Sequence, residues 1–171
     1  MRGLPVFLVS FVSLGGCTPE TASLVDHTAW AQLEPSEDPF DDRPASAVCP
    51  DSGWGFEDFG GEPAVEVDTT TCDYASLAQP TGADLRPGDT IQLRLWHDVL
   101  EGPEGSAHLA IALDGLMVWE TTLAIPGDPG IDRPVLEVQE PLEAGAQVVF
   151  HVHNHGANTY TLIELSRTGL R

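Results

Sequence analysis

Between residues 90 and 98 the chain reads TIQLRLWHD, which sets Ile91, Leu93, Leu95 and His97 on one face of an extended strand and Gln92, Arg94, Trp96 and Asp98 on the other. Pro87-Gly88-Asp89 punctuates its start. Alternating or continuously apolar runs of similar length mark further strands over 64–68, 72–77, 107–114, 116–125, 134–139, 146–153 and 159–166. Asp114-Gly115 is a strong signal for a tight hairpin between two of them, and His155-Gly156-Ala157-Asn158 supplies the last turn. No stretch carries a convincing helical period. About eight short strands separated by turn residues predict an all-β domain over 48–171, an antiparallel β-sandwich or jelly roll.

Residues 17–47 break every period. Prolines stand at 19, 35, 39 and 44, acids at 20, 26, 34, 37, 38, 41 and 42, and apolar residues are sparse. This composition predicts a disordered acidic tether, with Trp30 and Phe40 as exposed exceptions or a docking motif. As a flexible coil of about 30 residues it would span roughly 30 Å.

The first 16 residues have a different character. Arg2 is followed by an apolar stretch from Leu4 to Leu14, interrupted by Pro5, Ser10 and Ser13. At about 11 residues this falls short of the roughly 20 that a membrane-crossing helix needs. The run closes on Leu14-Gly15-Gly16-Cys17, which resembles the lipobox of bacterial lipoprotein signal peptides. The resemblance implies cleavage after Gly16, lipidation of Cys17 and a membrane reached through a lipid anchor. Thr18, rather than Asp, after the lipidated cysteine implies the outer membrane in Gram-negative cells.

Lipidation of Cys17 also resolves the cysteine count. Three cysteines in an exported protein leave one unpaired; with Cys17 acylated, Cys49 and Cys72 remain to form a disulfide in an oxidising compartment. Closing that loop of about 24 residues would contribute roughly 3 kcal/mol.

Charge narrows the partners. Twenty-seven acidic residues face seven arginines and no lysine, for a net charge of -20. Such a chain cannot replace phosphate counterions, which excludes a simple nucleic-acid binder. Adsorption to anionic lipid is disfavoured for the same reason, leaving the lipid itself as the anchor.

Candidate chemistry lies mainly in the histidines. His151, His153 and His155 alternate along the penultimate strand and its exit, so a regular strand puts all three on one face. Neighbours on a face are about 7 Å apart and can share a metal, whereas the outer pair, about 13 Å apart, cannot without a bend. A site would combine two of the three with His97 or His108 from adjacent strands, and imidazole clusters suit zinc or copper. The competing reading is a polar network in which the imidazoles bond Asn154, Asn158 and backbone carbonyls to hold the last hairpin.

Phe150-His151-Val152-His153 resembles the copper-binding strand of Cu/Zn superoxide dismutases. That family needs a long zinc loop and a later histidine, while no histidine follows His155, so dismutase activity is not inherited. The cupin pattern also fails, because Ala157, Asn158, Thr159 and Tyr160 stand where it requires Glu.

Aromatic residues offer a rival ligand. Trp54 lies in the Gly-rich segment GWGFEDFGG, Trp96 is on the polar face of its strand, and Trp119 is in the next hairpin. Exposed, they would stack on sugar rings; otherwise they cover the sandwich. The segment 158–165 resembles the closing strand of carbohydrate-binding-module jelly rolls, which implies a glycan ligand. The sequence therefore points first to a non-enzymatic binding or structural module of the cell envelope, contacting a glycan or an envelope protein. A metal-binding protein and a carbohydrate-binding module are the alternatives.

Overall fold

The computed structural model describes residues 18–170, so Cys17 and the segment before it lie outside the described residues. Twelve strands run in the order β1 (Pro19–Ser23), β2 (Ala31–Gln32), β3 (Trp54–Phe59), β4 (Glu62–Asp68), β5 (Tyr74–Pro80), β6 (Thr90–His97), β7 (Leu100–Leu113), β8 (Leu116–Gly127), β9 (Gly130–Asp132), β10 (Val135–Glu137), β11 (Gln147–His153) and β12 (Thr159–Leu170). They form two antiparallel sheets. One follows the order β10-β6-β12-β4-β3, with β1 also on β12 and β9 also on β6; the other follows β2-β5-β11-β7-β8.

Alternation explains how the sheets meet. Val148, Phe150 and Val152 of β11, Ala75 and Leu77 of β5, and Leu109 and Ile111 of β7 enter the main core. They pack there with Val65 and Val67 of β4, Leu93 and Leu95 of β6, and Leu162 and Leu165 of β12. The expected sandwich is therefore present, with all eight expected strands and four more. The Asp114-Gly115 hairpin has positive φ at both residues, 48° and 77°, as a two-residue primed turn requires. Cys49 and Cys72 form the expected disulfide. Gly53 lies against it, where an added Cβ would stand 2.6 Å from Cys72 Cβ.

The expected tether is the main correction. Residues 19–23 extend the larger sheet through β12, and Ala31-Gln32 extend the smaller one beside Ala78 and Leu77. Leu24, Val25 and Trp30 are buried in the main core, where the Trp30 ring lies 6.4 Å from that of Phe150. Leu33 and Phe40 pack on Ala78, Ala112 and Val149, on the outer face of the smaller sheet. Burying a large apolar side chain contributes roughly 1.5–3 kcal/mol. A few such residues, with the short strands β1 and β2, hold down a segment whose prolines and acids leave it little other regular structure. Residues 33–48 consequently cross the outer face of the five-stranded sheet as a strap, ending at the disulfide.

Candidate functional site

The residues that alternate away from the core on β5, β11 and β7 are Tyr74, Ser76, His151, His153 and His108. Register sets His151 between Ser76 and Ala110, and His153 between Tyr74 and His108. The strap lowers two carboxylates onto this patch. Asp42 Oδ2 lies 2.9 Å from His153 Nδ1 and 3.3 Å from His108 Nδ1, while Asp42 Oδ1 lies 3.7 Å from His151 Nε2. Asp38, almost fully buried, accepts hydrogen bonds from Tyr74 OH at 2.8 Å and Ser76 Oγ at 2.9 Å and has Arg43 Nη1 at 3.5 Å. Phe40 stacks on the His151 ring at 4.2 Å and closes the patch from above.

Burial governs the protonation of this patch. It pushes His151 down to about 4, against the opposing attraction of Asp42, so the imidazole is neutral at neutral pH. Burial alone would raise the Asp42 carboxyl. Hydrogen bonds from His153 and His108 and the charge effect of His151 outweigh it and hold Asp42 below the usual carboxylate range. Burial also raises the Tyr74 hydroxyl, reinforced by its bond to Asp38, so it stays a donor.

The structure brings some of the candidate histidines together and leaves one apart. His108, His151 and His153 converge, and His155 joins them at the rim, with its Nε2 3.1 Å from His153 Nε2. His97 does not. It points inward from β6 in the opposite sheet, buried, with Nδ1 2.9 Å from the Asp98 carbonyl and the ring against Tyr160. The Asn154–Asn158 network also differs from expectation. Asn154 Nδ2 donates to Thr69 Oγ1 and Tyr160 OH, and Asn158 Oδ1 accepts from the Glu101 backbone N–H, so the last turn is held without imidazole. Asp42 and Asp38 were missed because they sit in the segment read as tether. Phe40, flanked by acids on both sides, was the available signal.

A second feature lies on the side of the sandwich where edge strands β2 and β3 approach. Here a groove of about 870 Å³ is lined by Trp30, Gln32, Glu34, Arg43, Trp54 and Phe56, among others. Trp54 is half-buried against the core, and Phe56 is 52% exposed. Of the other tryptophans, Trp96 packs on Phe59 with ring centres 5.0 Å apart, outside the larger sheet. Trp119 pairs with Ile111 and packs against the main core, so it serves as cover and not as a stacking platform.

No protein-family profile matches this chain, and no curated protein sequence matches it. Solved structures do. A carbohydrate-binding module of family 27, described for specific mannan recognition, superposes with a TM-score of 0.53 at 10% identity, covering 90% of this chain and 99% of that one. The K3 cleaved adhesin domain of Lys-gingipain from Porphyromonas gingivalis gives 0.48 at 13% identity, covering 87% and 99%. A family 29 carbohydrate-binding module gives 0.45 at 11%, covering 88% and 89%. The architecture is an antiparallel β-sandwich, and the first of these similarities carries the fold.

Proposed function

We propose that this chain is a non-enzymatic binding module of the cell envelope and that its ligand is a glycan lying along the groove between β2 and β3. The observation that carries this reading is the pairing of an exposed Phe56 and a half-buried Trp54 with Gln32, Glu34 and Arg43 in one open groove. Aromatic faces cover the apolar faces of sugar rings, while amide, carboxylate and guanidinium groups bond their hydroxyls. The fold shared with a module described for mannan recognition supports the same ligand class. Anchoring follows from the lipobox, with lipidated Cys17 in the outer membrane. Because β1 begins at Pro19, only two residues after Cys17 in sequence, a lipid on Cys17 would hold the module close to the bilayer instead of roughly 30 Å from it.

Calorimetric titration of the mature chain against soluble mannan, glucomannan and cello-oligosaccharides tests the ligand. Binding of at least one, weakened about tenfold by Phe56→Ala, is expected, since tenfold corresponds to about 1.4 kcal/mol. No binding across the panel at millimolar sugar, or binding indifferent to Phe56→Ala, contradicts the assignment. Detergent-phase partition of the full chain tests the anchor: Cys17→Ser should abolish it, and unchanged partition would remove the lipid from the account.

A further inference from the structure

The histidine patch beneath the strap has a feature that hydrogen bonding alone leaves unsatisfied. Ser76 donates its hydroxyl hydrogen to Asp38 Oδ1 at 2.9 Å, so toward His151 Nδ1, 3.1 Å away, it can only accept. The Nδ1 of His151 therefore carries the ring proton and Nε2 bears a lone pair. That Nε2 is fully buried, has no hydrogen-bond partner among the described residues, and looks toward Asp42 Oδ1 at 3.7 Å. Two acceptors face one another there, the His151 nitrogen fully buried and Asp42 part-exposed, and a cation between them would satisfy both.

His108 repeats the arrangement. Its Nε2 lies 3.2 Å from Glu120 Oε2 and its Nδ1 3.3 Å from Asp42 Oδ2, so a neutral ring can donate to only one of two carboxylates, and with a metal at Nδ1 the proton would sit on Nε2 toward Glu120. An imidazole whose outer N–H is held by a carboxylate or hydroxyl, with its inner nitrogen bare, is the orientation found in metal-ligating histidines. One ligand atom from each of Asp42, His108 and His151 lies within 4.8 Å of the others. Ligands about 2.0–2.1 Å from a tetrahedral zinc ion are roughly 3.4 Å apart, close to the 3.3 Å from Asp42 Oδ2 to His108 Nδ1, while His151 Nε2 lies 3.7 Å from the other carboxylate oxygen.

We propose that Asp42, His108 and His151 bind a divalent transition-metal ion of the zinc class, and that the ion clips the strap to the five-stranded sheet. Two imidazoles and one carboxylate suit zinc, with the fourth position left to solvent. An opening of about 380 Å³ beside Phe40, Met117 and Glu120 gives access. His153, bonded to Asp42 Oδ2, positions the carboxylate. Because Asp42 belongs to the strap and both histidines to the sheet, loading the site joins the two.

Tag-free mature protein, stripped with chelator, is titrated with Zn²⁺ by calorimetry and with Co²⁺ by visible absorption. One equivalent is expected, with tetrahedral Co²⁺ bands, and zinc should slow protease cleavage within 33–48. Asp42→Asn, nearly isosteric, and His108→Ala should each weaken binding by at least about tenfold. His97→Gln, in the other sheet, should leave it unchanged. Circular dichroism and melting of each variant separate lost ligands from lost fold. Absence of binding at micromolar zinc overturns the proposal and leaves a proton at His108, shared between Asp42 and Glu120, as the missing cation. Affinity unchanged in both Asp42→Asn and His108→Ala also overturns it, placing the ion elsewhere on the acidic surface.

Discussion

The groove beside β3 and the patch beneath the strap are built from the same acidic, proline-rich segment, yet they differ in nearly every physical respect. The groove is open and aromatic, with Phe56 half exposed. The patch is covered by Phe40, centred on a fully buried His151, and held together by groups that titrate. Arg43 belongs to both: it lines the groove and, from the same position, pairs with Asp38 and lies 4.9 Å over the Tyr74 ring. The difference shows that the segment contributes contact surface on one side and charge on the other. A change in the patch can therefore reach the groove through the backbone the two share.

Acid should separate the two regions most strongly. His151 titrates near 4 in the folded protein against an ordinary 6.5, so the unfolded chain takes up a proton that the fold refuses. Stability is fully present above pH 6.5 and is lost as pH falls through that window, by on the order of 3 kcal/mol. Asp42, held below its ordinary 3.8, extends the loss further into acid. Denaturant midpoints of zinc-free protein between pH 7 and 4 check this, and His151→Phe, which keeps a ring against Phe40, should flatten the slope. A wild-type slope no steeper than that of the variant would show that His151 does not govern the patch. Phe56→Ala gives the smaller effect: stability should change by less than about 0.5 kcal/mol, as at exposed positions, and the pH slope should not change.

The strands were legible because each states its burial locally. Ile91, Leu93 and Leu95 alternate into the core, and Asp114-Gly115 supplies the turn that its positive φ angles demand. His151 and His153 were legible as one face of one strand for the same reason. Their partners were not. Asp42 meets His108 across 66 residues of sequence and His153 across 111, distances at which no periodicity operates. Leu24, Trp30, Leu33 and Phe40 are isolated apolar residues among prolines and acids, so composition reads as disorder although each finds a packed neighbour. His97 misled in the opposite direction: it alternates with apolar residues, and that pattern described a buried core face and not a ligand.

Everything said of both sites requires that residues 24–48 be part of the folded sandwich. Hydrogen exchange of the segment at neutral pH measures this directly. The Leu24 N–H, bonded to the Leu165 carbonyl at 2.8 Å, and the Leu33 N–H, bonded to the Ser76 carbonyl at 2.9 Å, should be protected alongside the strands they join. Exchange of both at the rate of an unstructured chain would contradict the account and return the segment to a tether.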